Sequence, residues 1–182
     1  MLKLIPFLLF SCASIFAQST ITNKLYHNQP AKNIDFITHT TDIGKIYYKI
    51  QFELPEDEFM GKYAYIFFKQ KKLNKVLDFL QNCLIQFEKI SKNAEPNKNN
   101  SSQKLQLKTD VDVQFKYGNE WFNDYTNDLN AWVINQKYLI IKTDRQPTAH
   151  SNQFIKINKP YLAFENTSQL KKLIEDVKKY TN

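Results

Sequence analysis

The sequence predicts an α+β domain: a mostly antiparallel sheet of about six to seven strands with two amphipathic helices packed on one face. Three patterns carry that expectation. Residues 46–54 and 104–117 alternate apolar and polar side chains with period two, as strands with one buried and one wet face do. Residues 71–92 place Leu73, Val76, Leu77, Leu80, Cys83, Leu84, Phe87 and Ile90 at steps of three and four, one wide apolar stripe of a helix. A shorter stripe near the C-terminus, Leu170, Leu173, Ile174 and Val177, repeats the pattern.

A chain of 182 residues fits one domain, and 14% aromatic content supplies a core for it. Gly44, Gly61 and Gly118 are the three glycines and lie far apart. Phosphate-cradling loops need glycines close together, so P-loop and dinucleotide-binding classes are excluded and no cofactor is expected. The formal charge of +7 comes from dispersed lysines, with Arg145 the single arginine. Nucleic-acid sites lean on arginine for bidentate contacts, so solvated lysine faces are the expected reading and nucleic acid is not an expected partner.

Residues 1–17, MLKLIPFLLFSCASIFA, set one charge ahead of a short apolar run and small residues, the layout of a secretory signal peptide. Cleavage after Ala17 leaves an exported chain, periplasmic or secreted, with no transmembrane segment expected in the mature form. The alternative address is a lipid anchor: Leu9, Phe10, Ser11 and Cys12 resemble a lipobox, in which Cys12 is acylated. On either route Cys83 is the interior cysteine, and its place in the apolar stripe makes it a small hydrophobe rather than a nucleophile.

Residues 18–41 read as a poorly ordered N-terminal arm, with Ile34, Phe36 and Thr38 as a short strand within it. The single α+β domain is expected over 42–182, with halves 42–93 and 104–182 joined by the polar loop 94–103. Ile46, Tyr48, Ile50, Phe52 and Leu54 form the buried face of the first full strand, which Pro55 ends. Residues 63–68, YAYIFF, are apolar on both faces and predict an interior strand leading into the long helix. In 104–117 the odd positions from Leu105 to Tyr117 share one face, and Gly118-Asn119 turns the chain. After Trp121 and Phe122, residues 123–128 read as a polar loop. Residues 129–134 and 138–142 then form a hairpin joined at Asn135-Gln136. Phe154, Ile155 and Ile157 mark a short strand, 161–164 the last strand, and 167–180 the second helix, with Asn166 and Gln169 at capping-box spacing.

The two strand-to-helix passages echo each other. YIFFKQKKLNKVLDFL and YLAFENTSQLKKLIEDVKKY align without gaps over their helical parts. Together with an N-terminus ending in Phe-Ala-Gln, a long alternating strand and a Trp-containing hairpin, they give an order that resembles small exported proteins of the Bacteroidota that carry no assigned function. The resemblance covers most of the mature chain. It implies an envelope or extracellular location and supplies no functional residue.

No constellation dictates a chemistry. His27, His39 and His150 lack metal-ligand spacing, and no Cys-x-x-Cys is present. The adjacent pair His150-Ser151 is a poor base and nucleophile, because neighbouring side chains diverge. Asp110 and Asp112 share the wet face of the long strand and offer paired carboxylates for acid–base work. Asp124 and Asp128, with Asn123, Asn127 and Asn130, make an oxygen-rich stretch without the order of a calcium loop, so no metal is expected. The densest signal is aromatic: Trp121, Phe122, Tyr125 and Trp132 fall within twelve positions, beside Asp124 and Asp128. Aromatics among Asp and Asn suit recognition of an envelope protein or a glycan. The expected function is therefore a non-catalytic exported binding or interaction domain using Trp121, Tyr125, Trp132, Asp124 and Asp128. The alternatives are an envelope hydrolase-like enzyme using paired carboxylates, or a structural or inhibitory protein whose sheet edge pairs with a partner strand.

Overall fold

The computed structural model describes residues 34, 36–40, 45–54, 60–94 and 101–181. The expected signal segment, the lipobox alternative at Cys12 and most of the N-terminal arm lie outside them. The strands are β1 (Phe36–Thr40), β2 (Ile46–Glu53), β3 (Met60–Lys69), β4 (Ser102–Tyr117), β5 (Glu120–Ile134), β6 (Tyr138–Thr143), β7 (Thr148–Ala149), β8 (Asn152–Lys156) and β9 (Tyr161–Phe164). Two helices accompany them, α1 (Gln70–Lys92) after β3 and α2 (Thr167–Lys178) after β9.

Seven strands form one antiparallel sheet in the order β1-β2-β3-β4-β5-β6-β9. The sheet curls until β9 meets β2 again, with Glu53 opposite Tyr161. β1 occupies the other half of the same β2 edge, pairing Phe36–Thr40 with Ile46–Ile50. The predicted class is thus the observed one, and the curl explains how one sheet buries two helices. Short β7 and β8 form a separate hairpin.

The inner face of the curl and the two helical stripes make one core. On β4 the inward positions Leu105, Thr109, Val111, Val113 and Phe115 are buried, Leu107 on the same face is partly buried against the core, and the alternate residues reach outward. In α1 the buried set is Leu73, Val76, Leu77, Phe79, Leu80, Cys83 and Phe87. Phe79 is an addition to the predicted stripe: a helix held inside a curved sheet is covered over a wider arc than one resting on a flat one. Leu84 and Ile90, predicted in the stripe, are only partly buried at its margin.

The internal echo has a structural counterpart. β3 and β9 both lie antiparallel to β2, on its two sides, so they run parallel to each other. Each feeds a helix, and the helices pack together, with Lys171 of α2 bonded to Glu88 of α1 at 2.8 Å. Asn166 caps α2 by accepting from the Ser168 N–H at 3.0 Å, satisfying one of the orphan donors of the first turn.

Two turns set the register of β4, β5 and β6. Gly118, at φ +58°, links β4 to β5 in a conformation that side-chain-bearing residues resist. Asn135 and Gln136, at φ 52° and 58°, form the predicted β5–β6 hairpin. The left-handed pair matches strand twist, and Asn tolerates it better than most residues.

The polar loop expected at 123–128 does not exist. β5 runs unbroken from Glu120 to Ile134. Its pairing with β4 shifts by one residue between Val111 and Val113, which face Asn127 and Asp124. This bulge breaks the period-two pattern, and inward Asp124 and Asn127 put polar side chains where a strand signal needs apolar ones. The segment 145–152, expected as a plain loop, contains β7.

Cys83 is fully buried, and burial pushes its thiol up to about 12. Thiolate is the reacting species, so the folded protein is predicted to resist iodoacetamide at pH 8 and to be alkylated promptly in denaturant. Mass analysis of a quenched time course reads both rates. Fast labelling of the native chain would contradict the packing of α1 described above.

Candidate functional site

The solvent side of β2, β3, β4 and β5 carries an aromatic strip. Register fixes its members: Gln51 lies opposite Tyr65, Tyr65 opposite Gln114, and Gln114 opposite Asn123, all on the outward face. One cluster is Tyr63, Tyr65 and Trp121, with centroid distances of 5.5 Å and 6.0 Å and the Tyr65 and Trp121 rings stacked. The other is Tyr47, Phe67, Tyr125 and His150, with neighbouring centroids 6.2, 6.3 and 5.3 Å apart. His150 is held there by its backbone N–H, which donates to the Asn123 carbonyl at 2.8 Å.

A polar seam divides the clusters. Lys49 donates to Gln114 Oε1 at 3.0 Å and sits 5.5 Å from the Tyr65 ring centroid. Burial lowers the Lys49 ammonium below the usual lysine value. Asn123 Oδ1 is buried with no hydrogen-bond partner among the described residues. Trp121 and Tyr125 each keep 49% of their surface exposed.

The five residues singled out in the sequence do not form one site. Trp121 and Tyr125 share the strip. Trp132 is eleven positions along β5 from Trp121, which is roughly 35 Å at the rise of a strand. There Lys142 and Lys104 hold their Nζ atoms 4.4 Å and 5.3 Å from its ring centroid. Asp128 faces outward and pairs with Lys108 at 2.9 Å.

Asp124 turns inward and is buried. Its carboxylate accepts from Arg145 Nη2 at 2.7 Å, from the Thr126 and Thr148 N–H groups at 3.1 Å each, and from Asn127 Nδ2 at 3.2 Å. Burial raises its carboxyl, but those donors outweigh burial and hold it below the usual aspartate value. The chain's one arginine is thus committed to locking the β5 bulge to the segment that leads into β7.

Asp110 and Asp112 share Lys72 of α1, at 2.7 Å and 3.9 Å. The hydrogen bond from Lys72 lowers Asp110, whereas burial raises Asp112. Their shared partner thus comes from the helix rather than from the strand that carries them. The strip is a convex sheet face. An open groove of about 440 Å³ lies elsewhere, between α1 and α2, lined by Gln81, Asn82, Leu84, Ile85, Ile174 and Lys178. It contains no carboxylate or nucleophile. Among the described residues no group of three or more His, Cys, Asp or Glu is gathered as a metal cage, and no helix is long and apolar enough to cross a membrane.

Sequence reasoning missed Tyr47, Tyr63, Tyr65 and Phe67. The signal for Tyr63, Tyr65 and Phe67 was present in YAYIFF, read as an interior strand covered on both sides or paired on both edges. β3 is indeed paired on both edges, but its outer face is covered by rings of its neighbours rather than by another layer.

Comparison of the chain with family models, curated proteins and solved structures returns no match.

Proposed function

We propose that the mature chain is an exported, non-catalytic binding domain, and that its recognition surface is the aromatic strip on the outer face of β2–β5. The observation that carries this reading is the half-exposed pair Trp121 and Tyr125, set on a rigid sheet among Tyr63, Tyr65 and Tyr47. Aromatic anchors fixed by a sheet lose little conformational entropy on binding, which is why such rings dominate interface energies. The seam of Lys49, Gln114 and Asn123 adds donors and an acceptor between the rings. An envelope protein or a glycan of the cell surface fits this combination, the rings meeting apolar or C–H faces and the seam meeting polar groups.

The test compares immobilised protein with its Trp121→Ala/Tyr125→Ala double variant, both checked by circular dichroism, on an extract of the source cells. Truncating anchors of this kind costs about 2 kcal/mol or more each, so a stoichiometric component is expected on the wild type and at least about 30-fold less on the variant. The same retained set on both would overturn the reading. A second reading, addition of a partner strand to β1, is favoured by that edge: Phe36–Thr40 carries no charge and no bulge, and β1 ends the sheet among the described strands.

A further inference from the structure

At the far end of β5 the outer face is basic without being balanced. Lys104 and Trp132 are cross-strand partners on β4 and β5, and Lys142 of β6 reaches the same ring. Lys142 is half-buried. Burial lowers its ammonium below the usual lysine value, and the charges of Lys159 and Lys104 lower it further. The carboxylates on this side are engaged elsewhere: Asp128 with Lys108 at 2.9 Å, and Asp144 with Asn130 Nδ2 at 2.6 Å. Lys159 donates to the Asp144 backbone carbonyl, which is neutral. No carboxylate among the described residues lies within ion-pair distance of Lys104 or Lys142.

A partly desolvated ammonium costs free energy unless an anion answers it. Here its charged neighbours are cations, and the indole beneath orders two of the side chains through cation–π contact. Each ammonium brings three donors, so the cluster is arranged for an acceptor with several oxygens and more than one negative charge. We propose that Lys104 and Lys142, which share the Trp132 ring, form a binding site for a tetrahedral oxyanion of the phosphate or sulfate class. The site is independent of the aromatic strip at the other end of the strand. Free phosphate and a phosphate-bearing lipid headgroup present the same chemistry to it.

The experiment titrates sodium phosphate, and separately sodium sulfate, into 15N-labelled protein against sodium chloride at matched ionic strength. The two indole N–H signals are assigned with Trp132→Phe. The Trp132 signal is expected to move saturably while that of Trp121 stays, and Lys142→Gln should weaken the response at least tenfold. A lipid source would read differently: co-sedimentation with phosphatidic acid vesicles over phosphatidylcholine vesicles, lost in K142Q, without saturation by the free anions. Lys104→Gln, at an exposed position, repeats both arms should K142Q fold poorly, with a partial loss expected. The proposal is overturned if neither arm gives a response, if both indoles shift alike with ionic strength, or if the lysine variants respond as the wild type does.

Discussion

Phe68→Ala is expected to remove about 3–5 kcal/mol of stability, the upper range for truncating one core side chain. Phe68 is fully buried at the end of β3. Its ring packs on Tyr48 at 6.0 Å and Phe36 at 6.5 Å, and Tyr180, after α2, packs on both of those rings at 5.5 Å and 5.6 Å. Gln70, at the start of α1, accepts from the Tyr48 hydroxyl and donates to the Tyr180 carbonyl at 3.0 Å. The phenyl ring therefore supports the joint where β1, β2, β3 and both helices meet, and no neighbour can collapse into its space without opening that joint. Against a typical total of 5–15 kcal/mol, the loss should shift the urea midpoint by roughly 2 M with little change in slope. Phe154→Ala serves as the control. That ring is 87% exposed, and its removal should change stability by no more than about 0.5 kcal/mol.

Asp124→Ala is the second large effect, about 2–4 kcal/mol. It leaves the Thr126 and Thr148 N–H groups and the Arg145 guanidinium without their shared acceptor. Asp124→Asn keeps the volume but turns a donor toward donors, so it should recover only part of the loss. The pH dependence has a definite sign. Because the folded state holds this carboxyl below its unfolded value, its contribution is complete above about pH 4 and is lost as pH falls through the lower folded value. Urea titrations at pH 7 and pH 3 should show wild type and Asp124→Asn far apart at the first and closer at the second. A constant gap across that range would mean that the charge is not what locks the bulge. Asp110, held low by Lys72, sustains a smaller acid dependence in both proteins.

These two sites mark the limits of what the sequence made legible. The core around Phe68 was readable because β2, β3 and α1 bury regular faces, and regular burial writes its period into the chain. Helix α1 was placed within one residue of its observed start for that reason. The Asp124 site was not readable. A bulge offsets the alternation there, and the partners that make an inward carboxylate tolerable, Arg145 and Thr148, arrive from some twenty residues away. The curl of the sheet was equally hidden, since β2 and β9 meet through a contact spanning more than a hundred positions.

The candidate site was legible by half. Clustering in sequence found Trp121 and Tyr125, and the same clustering misplaced Trp132, because neighbours along a strand grow distant at 3.3 Å or so per residue. Tyr47, Tyr63, Tyr65 and Phe67 joined through register, which no local window reveals. The two lysines on Trp132 come from β4 and β6, so their convergence was likewise invisible.

The measurement that bears most directly on the strip as a recognition surface is site-specific photo-crosslinking in the source cells. A photoreactive residue is placed in turn at Tyr63 in the strip, at Lys116 beside it, at Thr38 on β1, and at Ile85, exposed on the outside of α1. One common adduct is expected from Tyr63 and Lys116, and none from Ile85. Adducts confined to Thr38, equal yields from every position, or no adduct at the strip would contradict recognition through the outer face of β2–β5.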